Sequence, residues 1–131
     1  MESLPHADRF QQLIVYQKSC VLARLIFEVT DGFPSHELYS LTNQIRRSSR
    51  SIGAQIAEAW AKRLYLKHFI SKLTDADAEV NETEHWIDTA YTCGYIEAEE
   101  KDQMIINCQE IGKMIGSMIV NAAKFCPNSK D

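Results

Sequence analysis

Six cations between residues 46 and 67 are the side chains best suited to chemistry. They are Arg46, Arg47, Arg50, Lys62, Arg63 and Lys67. The same range contains a single acid, Glu58, so its net charge is about +5. A local concentration of guanidinium and ammonium groups can bind phosphate even though the whole chain carries −4. Two interpretations stay open: a phosphate or nucleic-acid site, and ion pairs within the chain.

The segment that follows has the opposite charge. Residues 75–102 contain ten acids against one cation, Lys101, for a net charge of about −9. If this segment and the basic one face each other across a helix pair, their charges neutralise one another within the chain. The pairs expected in that case join Arg46 and Arg50 to Asp77, Glu84 or Asp88.

Other reactive arrangements are weak. Glu82-x-x-His85 has the spacing of dinuclear metal sites in helical bundles, but those sites need two such motifs, and this sequence has one. The sequence contains no G-x-S-x-G motif, no glycine-rich phosphate loop and no C-x-x-C pair. We therefore predict no enzyme activity, no metal and no cofactor. We expect Cys20, Cys93 and Cys108 to be buried free thiols.

Long helices must position these groups, because the chain has only five Gly and three Pro in 131 residues. Hydrophobic periodicity predicts helices at about 8–30, 35–62, 66–93 and 97–124, with the second turn near 62–66. Short connections between long helices favour an antiparallel arrangement. The predicted fold is all-α: one domain over residues 1–131, forming a single up-down-up-down four-helix bundle.

The second helix carries a stripe of core residues centred on Ile45. Its other members are Leu38, Leu41, Ser49, Ile52, Ile56, Ala59 and Arg63. We expect the isoleucines of this stripe to be buried. Arg46 and Arg50 flank the stripe and Arg47 lies behind it, so Arg47 should be the most exposed of the three. The small residues around Gly53 allow a neighbouring helix to approach closely.

The first and last helices are apolar over a broad arc. Helix 1 has one strip of Phe10, Leu13, Ile14, Gln17, Cys20, Val21 and Leu25, and a second of Val15, Leu22, Ile26 and Val29. A helix this broadly apolar is covered on more than one side. In helix 4 the arc extends past what one core needs, through Met104, Ile111, Met114 and Met118. Core packing and a subunit interface are both open for these four residues.

The sequence also bears on location. Met1 to Phe10 is polar and shows no export signal. No apolar run approaches the roughly 20 residues of a membrane-spanning helix. We expect a cytoplasmic protein without a membrane partner.

Several short motifs match a known pattern. They are Val15-Tyr16-Gln17, Phe33-Pro34 with Glu37, Tyr39 and Leu41, Gln44-Ile45-Arg46-Arg47-Ser48-Ser49, Ser51-Ile52, Ile56-Ala57-Glu58, Phe69, Leu73, Ala76, Glu82, Glu84 and Gly94-Tyr95-Ile96. Through them the chain resembles the bacterial four-helix-bundle family encoded in intervening sequences of large-subunit ribosomal RNA genes. That group includes the accessory variability protein of diversity-generating retroelements.

The resemblance implies a bundle that assembles as a ring-like pentamer and has no catalytic residues. We therefore predict a non-enzymatic homo-oligomer that acts through protein–protein interaction. The alternative is binding of structured RNA through the basic stretch from Arg46 to Lys67.

Overall fold

The computed structural model describes residues 7–131, and all regular structure in this range is helical. The long helices are α1 (Ile14–Thr30), α2 (Asn43–Ala61), α3 (Leu66–Thr92) and α4 (Ala98–Val120), followed by the short α5 (Ala122–Phe125). Short 3-10 turns occupy Phe10–Gln12 and Ser35–Glu37, and a π-helical turn occupies Leu38–Thr42. The prediction of an all-α protein is confirmed.

The four long helices pack in pairs: α1 with α2, α2 with α3, α3 with α4, and α4 with α1. A buried hydroxyl pair joins α2 to α3, where Thr83 Oγ1 donates to Ser48 Oγ at 2.9 Å. The small Ser48 side chain lets the two helices approach, and each hydroxyl gives the other a partner away from water.

The core stripe of α2 is confirmed over most of its length. Ile45, Ile52 and Ile56 are at most 1% exposed. Leu38 is the exception, because its side chain is 45% exposed. It lies in the π-helical turn, where the wider winding shifts the phase of the residues that precede α2.

The second apolar strip of helix 1 lies in the core, and the first strip does so only in part, through the fully buried Leu13. Val15, Leu22 and Ile26 are fully buried, whereas Val21 of the other strip is 64% exposed. Cys20, beside Val21, is also exposed, as is Cys93 at the end of α3. The prediction of buried thiols was wrong for these two and is confirmed for Cys108. Burial and the nearby Glu84 carboxylate raise the pKa of the Cys108 thiol to about 12.

The connection between α2 and α3 lies at residues 62–65, within the predicted range. This turn contains no Gly or Pro, and it forms hydrogen bonds with the C-terminal segment. The Lys130 amide donates to the Leu64 carbonyl at 2.8 Å, and the Leu66 amide donates to Ser129 Oγ at 2.9 Å. Distant residues therefore satisfy the backbone groups of a turn that has no local turn signal.

Gly94 terminates α3. Its φ of +80° lies in the left-handed region. The Gly94 amide donates to the Tyr91 carbonyl and the Tyr95 amide donates to the Ala90 carbonyl, both at 2.9 Å. This pair of hydrogen bonds is a Schellman motif.

Among the described residues, no helix is long and apolar enough to cross a membrane.

Candidate basic interface

Three of the six predicted cations come together at the start of α2. Arg46, Arg47 and Arg50 line a cleft of about 440 Å³. The remaining lining residues are Leu38, Thr42 and Asn43, so no carboxylate lines it. The π-helical turn supplies Leu38 and Thr42, and α2 supplies the others. We call these six residues, together with Phe27, the basic face.

Arg46 and Arg50 share one aromatic ring on α1. Their guanidinium carbons lie 4.7 and 5.6 Å from the centroid of Phe27. Arg46 Nε also donates to Thr30 Oγ1 at 2.8 Å. Within residues 7–131, neither arginine forms a salt bridge. Two like charges four residues apart on a helix repel each other, so the pair favours an anionic partner.

Arg47 has internal partners, in contrast. It forms salt bridges with Glu82 and with Glu79, the latter at 3.5 Å. Trp86 Nε1 donates to the same Glu82 carboxylate at 3.0 Å, and these hydrogen bonds from Arg47 and Trp86 lower the pKa of Glu82. The expected pairing of helix 2 arginines with helix 3 acids therefore exists, but through Arg47. Arg46 and Arg50 point instead to α1, because they lie on the other side of the core stripe. Arg47 and Arg50 are both exposed and Arg46 is half-buried.

Thr42 adds an unsatisfied hydroxyl to the cleft. This residue is 3% exposed, and its Oγ1 has no hydrogen-bond partner in the described part of the chain. A buried hydroxyl without a partner is destabilising, because it has lost its hydrogen bonds to water. The basic face thus contains a neutral donor in addition to its guanidinium groups.

The other three predicted cations lie at the far end of α2 and the start of α3. Lys62 and Lys67 are exposed there. The Arg63 guanidinium carbon stacks 3.5 Å from the centroid of Trp60, and Arg63 Nε donates to the Trp60 carbonyl at 2.8 Å. Burial lowers the pKa of Arg63. The six cations therefore form two separate groups, and Arg63 has a structural role in the turn.

An acidic flank lies on α3 beside α4. Its members are Asp77, Glu84 and Asp88, and none forms a salt bridge within the described residues. An ideal Cβ on Gly112 of α4 would lie 3.7 Å from Asp77 Oδ1, which places the flank along the α3–α4 seam. Partial burial raises the pKa of Glu84, and the neighbouring charges of Asp88 and Asp77 raise it further.

The raised pKa of Glu84 predicts an effect of pH on stability. The folded chain holds this proton more tightly than the unfolded chain. Stability therefore falls as pH rises from the unfolded pKa through the folded pKa, and the penalty is complete above the folded pKa. Glu84→Gln should raise the free energy of unfolding at neutral pH, and the gain should shrink in mild acid. Urea denaturation at both pH values measures this.

Glu82→Gln is the matched control, because the pKa of Glu82 is lowered instead. Its carboxylate stabilises the fold above the unfolded pKa, and this stability is lost as pH falls through the folded pKa. The substitution should therefore lower stability at neutral pH. Effects of the same sign for both variants would contradict the assignment of the two carboxylates.

The four predicted interface residues of α4 are mostly inside the chain. Met104 and Met118 are 2% exposed and Ile111 is fully buried. These three pack in the core, so in this structure a second copy cannot contact them. The core interpretation holds because α4 meets both α1 and α3, and its apolar arc is therefore covered from two sides. Only Met114 is half-buried.

The sequence did not single out two residues that shape the basic face, Phe27 and Thr42. Phe27 could have been found from its position one turn before the end of α1, opposite the arginines. Thr42 carries no motif at all. Within residues 7–131, no group of three or more His, Cys, Asp or Glu is arranged to hold a metal ion. Glu82 is engaged by Arg47 and Trp86 instead.

The chain is an all-helical protein with four long helices that pack against one another, and it carries one basic and one acidic surface. The model of the 23S rRNA-intervening sequence protein family matches residues 11–117, and the chain belongs to this family. It is also similar to a solved structure from Bacteroides thetaiotaomicron, described as a protein with unknown function from the S23 ribosomal protein family. Sequence identity is 32% over 81% of this chain and 98% of the other, with a TM-score of 0.72. No curated protein matches the chain significantly.

Proposed function

We propose that the protein is a non-enzymatic homo-oligomer in which the basic face of one copy binds the acidic flank of the next. The observation that carries this proposal is that two oppositely charged groups of side chains both lack salt-bridge partners. Arg46 and Arg50 have no carboxylate partner, and Asp77, Glu84 and Asp88 have no cation partner, within the described residues. Opposite potentials on two surfaces favour association and fix its orientation.

The proposed subunit is an antiparallel up-down-up-down four-helix bundle. Pairs of residues that contact each other or interact through charge support this topology, because the position rises along one helix as it falls along the next. The pairs are Ser19 with Gly53 and Thr30 with Arg46, Ser48 with Thr83 and Glu58 with Lys72, and Asp77 with Gly112 and Glu84 with Cys108.

In such a bundle the two charged surfaces lie on different sides. The basic face belongs to α1 and α2, and the acidic flank belongs to α3 beside α4. An interface between two different surfaces is heterologous, and it generates a ring when the rotation between copies closes. The ring-like pentamer that the resemblance implies is an assembly of this kind.

Exposed apolar side chains favour the same conclusion. Val21 on α1 is 64% exposed, Phe27 is 43% exposed, and Ile106 on α4 is 53% exposed. A groove of about 420 Å³ between α1 and α2 is lined mostly by small side chains, with Phe10 and Tyr16, and it shares Arg50 with the cleft of the basic face. Apolar contacts next to arginine and aromatic side chains are typical of the energetically important centres of protein interfaces.

Charge reversal tests the proposal directly. Arg50→Glu and Asp88→Lys change exposed side chains without internal salt bridges, so each should reduce association while the fold is retained. The double variant carries both reversals in one chain and restores opposite charges across the interface, so association should recover. Sedimentation velocity at low ionic strength measures this, because salt screens exposed charges.

Lys62→Glu is the control, since this exposed cation lies at the other end of α2 and outside the basic face. It should leave the sedimentation coefficient unchanged. The proposal is wrong if Arg50→Glu and Asp88→Lys behave like this control, or if the double variant is no better associated than either single variant.

Structured RNA is a second candidate partner for the basic face. The observation in its favour is that Arg46 and Arg50 lack carboxylate partners, which leaves their guanidinium groups available to phosphates. A titration with structured RNA at two salt concentrations tests it. Absence of binding at low salt would eliminate this candidate.

A further inference from the structure

We propose that the cleft of the basic face, here named the arginine cleft, binds a single phosphate group, as inorganic phosphate or a small phosphate monoester. The site comprises Thr42, Asn43, Arg46, Arg47 and Arg50. This inference goes beyond self-association and does not depend on it.

The arrangement of the cations favours a small anion. Three arginines within two helical turns line one cleft of about 440 Å³, and no carboxylate lines it. Arg47 is paired with Glu79 and Glu82, so Arg46 and Arg50 are the main donors to an anion. Guanidinium groups form paired, parallel hydrogen bonds with phosphate oxygens. Lys62 and Lys67 lie away from the cleft, at the far end of α2 and the start of α3, so the cations do not form the continuous track that a long nucleic acid would follow.

Arg46 is held in place before any ligand arrives. Its Nε donates to Thr30 Oγ1 at 2.8 Å and its guanidinium plane lies against Phe27. The two terminal nitrogens make no hydrogen bond within the described residues and can donate to an oxyanion. Ordering of the side chain by Thr30 and Phe27 lowers the entropy that binding must remove.

The hydroxyl of Thr42 is a second, independent indication of a ligand. Its Oγ1 is buried and has no partner in residues 7–131, although Thr42 lines the cleft. Threonine in a helix has two accessible χ1 rotamers, so the hydroxyl can turn toward the cleft. A phosphate oxygen there would accept the hydrogen bond that the hydroxyl lacks.

Thr42→Val provides the sharpest test, because it removes the hydroxyl and keeps the shape and charge. Thermal unfolding of the full chain is measured with and without inorganic phosphate, and affinity is measured by calorimetry with phosphate and with phenyl phosphate. Without ligand, Thr42→Val should melt at the same temperature as the native chain or higher, since it replaces an unsatisfied hydroxyl. Its phosphate affinity should be about tenfold weaker, which is the usual effect of losing one hydrogen bond to a charged group.

Arg50→Gln should also weaken phosphate binding by about tenfold or more, and Arg50→Lys should restore only part of it, because lysine lacks the paired donor geometry. Lys62→Gln is the control and should bind like the native chain. Asp88→Lys should reduce self-association and so free the basic face from a neighbouring copy's carboxylates; it should bind phosphate at least as tightly as the native chain, so the two proposals fail separately.

Two results would overturn the assignment. One is phosphate binding that is absent, or that is equal in the native chain, Thr42→Val and Arg50→Gln. The other is structured RNA that binds and loses affinity equally with Arg50→Gln and Lys62→Gln, because the cleft would then be part of an extended nucleic-acid surface.

Discussion

Ile52→Ala should lower the free energy of unfolding by about 2–5 kcal/mol, the range for truncating a large buried aliphatic side chain. Ile52 is fully buried at the centre of the α2 stripe. Its truncation removes apolar surface from the core and leaves a cavity between closely packed helices. Urea denaturation measures the change, at one fixed protein concentration because self-association raises apparent stability.

Val120→Ala is the control for Ile52→Ala, because Val120 is 84% exposed at the end of α4. Its effect should stay within about 0.5 kcal/mol, as for most surface substitutions. Equal effects for the two variants would contradict the orientation of α2, since the isoleucine stripe would then not face the core.

Gly53→Leu should lower the free energy of unfolding by about 1–3 kcal/mol through overpacking. Gly53 lies at a close approach of α1 to α2: an ideal Cβ there would be 3.0 Å from Ser19 Oγ and 3.4 Å from the Tyr16 ring. Neither neighbour can move easily. Ser19 is 1% exposed and its hydroxyl donates to the Tyr16 carbonyl at 2.6 Å, while the Tyr16 ring packs on Phe10.

Gly116→Leu is the matched control on α4. Nothing lies within 4 Å of an ideal Cβ at Gly116. Leucine favours the helix over glycine by somewhat less than about 1 kcal/mol, so this variant should be as stable as the native chain or more stable. Chemical denaturation of the two variants side by side checks the prediction. A stabilised Gly53→Leu would show that α1 can move away from α2 without cost.

Periodicity predicted the four long helices and most of the α2 core stripe because these depend on local spacing. The first two helices begin later than the predicted residues 8 and 35, at Ile14 and Asn43, because short 3-10 and π-helical turns precede them. The α-helical rotation of 100° per residue also placed Leu38 in the core. This prediction failed because the π-helical turn at Leu38–Thr42 has a different rotation per residue. No local sequence pattern indicated this π-helical turn. The turn between α2 and α3 was located only approximately, since its backbone partners include Ser129 and Lys130.

The candidate site was predictable in composition but not in pairing. The sequence singled out Arg46, Arg47 and Arg50, but it could not say which of them would meet the acids of α3. That depends on which side of the core stripe each helix packs, which is a property of the whole arrangement. The burial of Met104 and Met118 could not be predicted for the same reason. An apolar arc on a helix has the same sequence pattern whether two helices of its own chain cover it or another subunit does.

The central claim is that copies of this chain bind one another through opposite charges. Sedimentation equilibrium on the native chain at low and high salt tests it most directly, because the technique measures mass independently of shape. We expect a mass at low salt that is a multiple of the 15.0 kDa of one chain, with dissociation as salt rises. A mass of 15.0 kDa at every salt and protein concentration would contradict it.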